Sequence, residues 1–298
     1  MRGEKYPTAL ACDRGKIPLV LSDSPFDAVV FAGGGCRCFW QLGFWSAAAA
    51  PIGLAPERVG AVSAGAAMAC AALTGVSEEI VEDFAERASR NGSNFHPCNL
   101  LRGRPVFPHE QIYRATILAM ADPDRLARLH RGPDLRVLLG RPPAWAGRAG
   151  TLLLGLLGSR AEQHLGGGVH AVWGRRPGFR AGLVSVRACA PAEDLAALLP
   201  HSWCPPPALP LYERDGRPVL DGGIIDGVPV EAVASPRSTL VLLTRRFPGK
   251  RPPRVPGRTY VQPSAPIPIE TWDYASPAGV RAAFALGQRD GAAFAASC

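Results

Sequence analysis

Residues 26–66 read FDAVVFAGGGCRCFWQLGFWSAAAAPIGLAPERVGAVSAGA, and the fold turns on how this stretch is divided. Phe26 to Ala32 is short and mostly apolar and runs into Gly33-Gly34-Gly35, the pattern of a buried strand ended by a turn. From Phe39 to Ala50 the apolar run has helical length, and Pro51 closes it. Arg58 to Val62 resumes a strand, after which Ala64 to Leu73 is small and apolar throughout, as a helix buried against a sheet would be, with Gly75 as its stop. Strand, glycine loop, helix, strand predicts a parallel βαβ unit, because parallel neighbours need a crossover connection.

Outward from that unit the chain stays α/β. Ser77 to Arg90 reads as a surface helix opening at Ser77, with Glu78 and Glu79 at its positive end. Residues 91–180 are less regular, with short helical stretches between Pro97, Pro105, Pro108, Pro123, Pro133, Pro142 and Pro143, and are expected to form a divergent, lid-like insertion. Within them Ala144 to Leu157 carries five leucines flanked by Arg148 and Arg160, a pattern that suits an interfacial helix or a core helix equally. Further on, Ala181–Val186 reads as a strand, Ala192–Leu199 as a helix, Ser238–Thr244 as a strand and Pro277–Ala296 as a closing helix. Residues 1–25 form an irregular lead and 26–298 one domain.

With 47% apolar and 19% charged residues among 298, the chain has the composition of a globular protein rather than a disordered one. The formal charge of +8 favours anionic surroundings, nucleic acid or the face of a membrane. Lys5, Lys16 and Lys250 are the only lysines, and the arginines are scattered, with Arg175-Arg176 and Arg245-Arg246 too short for a nucleic-acid arm. Nucleic acid is therefore not an expected partner. Eight cysteines lack the paired spacing of a zinc site and the density of a disulfide scaffold, and read as reduced thiols. The N-terminus has no apolar signal core, and no apolar stretch reaches the roughly 20 residues that span a bilayer. The expected location is the cytoplasm or a membrane periphery.

The chemistry concentrates at three places. A strand ending in Val62 that turns through Ser63-Ala64-Gly65 into a small-residue helix is the setting of a nucleophile elbow. Ester hydrolysis also needs donors aimed at the developing oxyanion, and Gly33-Gly34-Gly35, one βα unit earlier, can present backbone amides. A dinucleotide or phosphate loop fails on spacing, because Cys38 stands where G-x-G-x-x-G has its last glycine and no G-K-[ST] follows. Serine needs a base. The six histidines all precede Asp221, and a serine–acid–histidine order would require an acid such as Asp122 or Asp194 before His201. Asp221 is the better candidate, because Gly222-Gly223 let the chain turn and face its carboxylate into a site.

Taken in order, Gly33-Gly34-Gly35-Cys36-Arg37, then Ala61-Val62-Ser63-Ala64-Gly65-Ala66, then the run from Asp221-Gly222-Gly223 to Pro229-Val230 resemble the patatin-like phospholipase family. That family has a G-G-G-x-R-G loop, a G-x-S-x-G elbow and a D-G-[GA] motif. The 158-residue separation of Ser63 from Asp221 suits it. The resemblance implies a three-layer α/β/α fold with a mainly parallel central sheet and a Ser63–Asp221 dyad. It also implies an oxyanion hole in the loop Gly33, Gly34, Gly35, Cys36 and Arg37, led by Gly34 and Gly35, with Ala64 and Gly65 supporting the elbow. The implied activity is cleavage of acyl esters of phospholipids or other acyl lipids, without metal or cofactor; the basic charge and the leucine-rich stretch Leu152–Leu157 separately lead to an expectation of peripheral contact with anionic membranes.

The sequence departs from the pattern twice. Ala61 replaces the first elbow glycine, and Cys38 replaces the glycine after the loop arginine, adding a β-carbon where such a loop needs an unusual φ. The expected consequence is an altered oxyanion hole. A catalytically silent fold that binds lipid or protein, and an acyltransferase using the same serine, are the alternative readings.

Overall fold

The structure, a computed structural model, describes residues 24–103, 106–165, 168–170, 178–189, 192–201, 212–214, 216–234, 237–247 and 254–298. The chain begins with β1 (Ala28–Phe31), α1 (Phe39–Ala48), β2 (Arg58–Val62), α2 (Ala64–Thr74) and α3 (Ser77–Asn91). It continues through α4 (His109–Met120), α5 (Pro123–Arg131), β3 (Asp134–Arg141), α6 (Gly147–Leu165), β4 (Arg180–Ser185) and α7 (Ala192–His201). It closes with β5 (Tyr212–Arg214), β6 (Arg217–Asp221), β7 (Thr239–Leu242), β8 (Arg258–Val261) and α8 (Pro277–Ala295).

The strands form one eight-stranded sheet in the order β5-β6-β3-β2-β1-β7-β8, with β4 also paired to β3. The run β3-β2-β1-β7-β8 is parallel, and β4 and β6 join β3 antiparallel. Every residue of β1 and β7 is buried, as expected of strands covered on both faces, so they read as unbroken apolar runs. Val29, Phe31, Val59, Leu240 and Leu242 face a core closed by α1, α2, α3 and α8. Ala28, Val30, Val241 and Leu243 face the 3₁₀ turn Val230–Val233, and farther along Val62, Leu138 and Leu220 face Ile224, Ile225 and Leu154 of α6. This is the three-layer α/β/α fold expected from the sequence.

The first helix packs on the last at backbone contact. A β-carbon on Gly43 would stand 2.0 Å from Phe284 O, and one on Gly287 would stand 2.0 Å from Trp40 O. Trp40 Nε1 donates to Asp290 across the same interface at 2.7 Å. Only hydrogen at those two positions lets the helices close so far.

Several expectations needed correction. The cap position of α3 is Val76, with Ser77 already helical and no side-chain cap, although Glu78 and Glu79 do occupy the first turn. No strand is expected in residues 91–180, yet β3 lies there and forms a central part of the sheet. Pro133 and Pro142 bracket it closely, and Asp134, Arg136 and Arg141 interrupt its apolar pattern. β8, with only Arg258-Thr259-Tyr260-Val261, was also unread. The leucine-rich segment opens as a 3₁₀ turn at Ala144–Ala146 and becomes α6. It is a surface helix, with Leu154 on the core while Leu153 and Leu157 are more than half exposed. Of the expected lead, residues 1–23 lie outside the described residues, as do Cys12 and Cys204 among the thiols; the other six cysteines are free. Among the described residues no helix is long and apolar enough to cross a membrane.

Candidate active site

Ser63 sits in the turn from β2 to α2 with φ 56 and ψ −142, the only described non-glycine residue in the strongly positive φ region that favours glycine. Such a conformation costs on the order of 1–3 kcal/mol and persists only where the surroundings enforce it. They do so through close approach. A β-carbon at Gly65 would meet Ala32 O at 2.5 Å, and one at Gly33 would stand 3.1 Å from the Ser63 β-carbon. The elbow and the glycine loop are thus pressed together at the carboxyl ends of β2 and β1, where open α/β sheets bind ligands. Ala61, in place of the elbow's first glycine, lies fully buried in β2 between Phe31 and Val137, with room for its methyl.

The unread strand β3 brings the aspartate to the serine. Val62 pairs with Leu138 on one side of β3, and Asp221, at the end of β6, pairs with Leu139 on the other. Ser63 and Asp221 therefore face each other across one strand, and Ser63 Oγ donates to Asp221 Oδ2 at 3.2 Å. Gly223 N–H donates to Asp221 Oδ1 at 2.7 Å. Gly222 is required because its turn crosses β3: a β-carbon there would lie 2.2 Å from Leu138 O. Burial pushes the Asp221 carboxyl from the ordinary carboxylate range up to about 7, against the pull of the Gly223 and Ser63 hydrogen bonds.

The five loop residues divide. Gly33 N–H donates to Gly227 O at 2.9 Å, Cys36 N–H to Thr271 O at 3.0 Å and Arg37 N–H to Gly34 O at 3.2 Å. The amides of Gly34 and Gly35 have no backbone acceptor among the described residues, nor does that of Ala64 in the first turn of α2. Gly35 is the loop glycine that needs its freedom, with φ 57 and a hypothetical β-carbon 2.0 Å from Thr271 O. Cys38 does not need it: φ is −66, an ordinary helical value, and its buried thiol lies 3.6 Å from Ala32 O. The backbone reason for expecting a damaged loop is removed. Arg37 is tied back by an ion pair to Glu270 at 2.7 Å and a hydrogen bond to Ile269 O at 3.3 Å.

Other supporting residues were not read from the sequence. Buried Gln41 donates to both Ala32 O and Leu242 O, tying β1 to β7, and its one signal was a lone polar residue inside an aromatic helix. Thr244 Oγ1 donates to Gly33 O at 2.5 Å. Asp226, in the same run as Asp221, is engaged by His170 at 2.8 Å and by Val228 N–H at 2.8 Å. Of the histidines, His96 meets Asn91, His130 meets Cys189 O, and His109 is packed among Phe107, Trp272 and Tyr274, where burial pushes its pKa down to about 4. The side chain of His201 lies outside the described residues.

Fold and site geometry together define a three-layer α/β/α protein with a strand–serine–helix elbow bonded to a carboxylate at a second strand end. The family-model comparison agrees: the model for the patatin-like phospholipase family matches residues 29–234, more than two-thirds of the chain. The chain belongs to that family, whose members are in general hydrolases of lipid metabolism. A search among curated proteins gave no match.

Proposed function

We propose that the protein cleaves fatty acyl esters of phospholipids or related lipids, with Ser63 as nucleophile and Asp221 as its base. The observation that carries this reading is the hydrogen bond from Ser63 Oγ to Asp221 Oδ2, made from an elbow whose strained φ presents the hydroxyl at the sheet's ligand-binding end. Asp221 takes the hydroxyl proton as Oγ bonds to the acyl carbon. The carbonyl oxygen gains the charge, and the amides of Gly34, Gly35 and Ala64 stabilise it. Collapse breaks the ester C–O bond and the Asp221 proton passes to the leaving alcohol, after which water attacks the acyl-serine by the same route. A carboxylate near pKa 7 is a far better base at neutral pH than one near 4, because proton transfer is most efficient when the catalyst's pKa approaches the working pH.

A fluorophosphonate probe tests the assignment. Wild type should be labelled and Ser63→Ala should not; an unlabelled, folded wild type would instead favour the silent reading. Product analysis with added alcohol or lysolipid separates hydrolysis from acyl transfer. Trp145, 76% exposed after β3, joins Leu153 and Leu157 as apolar surface for peripheral contact with an anionic membrane. Vesicle co-sedimentation that ignores both anionic lipid content and salt would remove that contact from the proposal.

A further inference from the structure

Chain direction changes at β1. β2 and β3 follow on one side, whereas β7 and β8 lie on the other, so the topological switch falls between β1 and β7. Open α/β sheets bind ligands at such a point, outside the carboxyl ends of the strands. A cavity of about 260 Å³ occupies it, bordered by Gly34 of the loop, Gly223 beside Asp221, Val228, Thr244, Arg245 and Phe247. The cavity therefore adjoins both halves of the dyad without being formed by either reacting side chain.

Two guanidinium groups reach this cavity, and they are not equivalent. Arg37 is already neutralised by Glu270 and bonded to Ile269 O. Arg245 donates to Gly168 O at 3.1 Å and lies over the Phe247 ring, 4.9 Å from its centroid, and no carboxylate ion-pairs with it among the described residues. A guanidinium has five N–H donors in a rigid fork, so one carbonyl and one aromatic face fix its plane while most donors stay free for an oxyanion. Beneath it, Val169, Val228 and Leu243 give the cavity an apolar lining. Ser63 follows β2 and Thr244 is two residues past β7, with β1 between them, so their backbones stand roughly 10 Å apart at the usual strand spacing. The acyl carbon and the phosphorus on one glycerol unit are five or six covalent bonds apart, a shorter span than that backbone separation, which leaves room for the Ser63 and Arg245 side chains.

We propose that Arg245 is a specificity-determining residue that binds the phosphate of a phospholipid headgroup, so that the site prefers phospholipids to neutral acylglycerols. This rests on the hydrolase reading above. The test measures kcat/KM on phosphatidylglycerol and on diacylglycerol, each dispersed in neutral detergent micelles, for wild type, Arg245→Gln, Arg245→Lys, Arg246→Gln and Ser63→Ala. Charge-assisted hydrogen bonds of this kind set an expected fall of about tenfold in the phosphatidylglycerol-to-diacylglycerol ratio for Arg245→Gln. Arg245→Lys should recover part of it, and Arg246→Gln, which removes the same surface charge, should stay within about twofold. A ratio unmoved by Arg245→Gln, or moved equally by Arg246→Gln, overturns the headgroup assignment. The hydrolase reading stands through that outcome if Ser63→Ala is inert, and falls separately if Ser63→Ala turns over both lipids like wild type.

Discussion

Ser63 and Asp221 meet at 3.2 Å, but they are held by different means. On the serine side, glycine backbone lies against neighbouring chain: Gly65 on Ala32 O and Gly35 on Thr271 O, with Gly33 on the Ser63 β-carbon. All but Thr271 come from the 41 residues first quoted. On the aspartate side Gly222 lies hard against Leu138 O and Gly140 of β3 less closely against Asp221 O; the rest is side-chain packing of Leu138, Leu220, Ile224 and Leu154, drawn from β3, β6, the turn that follows it and α6. The first arrangement has no slack, because a peptide carbonyl cannot rotate away from an added methyl. The second can repack around a lost group at moderate cost.

The contrast can be broken by substitution. Gly35→Ala should have the largest effect, since positive φ and a 2.0 Å encounter with Thr271 O act together. A loss of roughly 3 kcal/mol or more is expected, with thermal unfolding as the readout, and a change under 1 kcal/mol would refute the no-slack description. Asp221→Asn comes next. In wild type the folded carboxyl, at about 7, holds its proton where the unfolded one, near 4, has lost it. The folded state is thus favoured at low pH, and that contribution is lost as pH rises through 7. Asn should raise stability above pH 7 by on the order of 3 kcal/mol, allowing for residual solvation, and change little below pH 4. Hydrolysis should run the other way, rising in wild type with a midpoint near pH 7 and being largely absent in the variant. A wild-type midpoint near 4 would deny the burial.

Smaller effects belong to the aspartate side's outer layer. Leu154→Ala, half-buried on α6, should cost about 1–2 kcal/mol in chemical denaturation while most hydrolysis survives. Trp145→Ser should leave stability within about 0.5 kcal/mol and weaken vesicle binding. A stability loss there like that of Gly35→Ala would erase the distinction between the two sides.

The same difference decided what the sequence disclosed. The serine side is local, and each of its signals, apolar strand, glycine run, small-residue helix, stands within a few residues of the next. β2 and the start of α2 fell where they were read. The aspartate side depends on the pairings Val62 with Leu138 and Leu139 with Asp221, 76 and 82 residues apart, and β3, which seats Asp221 opposite Ser63, carries charges at Asp134, Arg136 and Arg141 that hide its period. Asp221 is legible only in company, as the third motif in order after the glycine loop and the elbow; taken alone, Asp221-Gly222-Gly223 reads as an ordinary turn. Arg245 is visible in the sequence merely as half of a basic pair, since the cavity it borders lies at the switch in strand order, which no local pattern encodes.

The glycine contact between α1 and α8 also sets a schedule. At synthesis rates of about 5–20 residues per second, the 228 residues between Ala48 and Pro277 take roughly 10 to 50 seconds to appear. Through that interval the face of α1 that packs on α8 lacks its partner helix, and Thr271, which seats Gly35, is made only six residues before Pro277. The turn at Gly35 can therefore close on its carbonyl partner only after the 235 residues between Gly35 and Thr271 have been made.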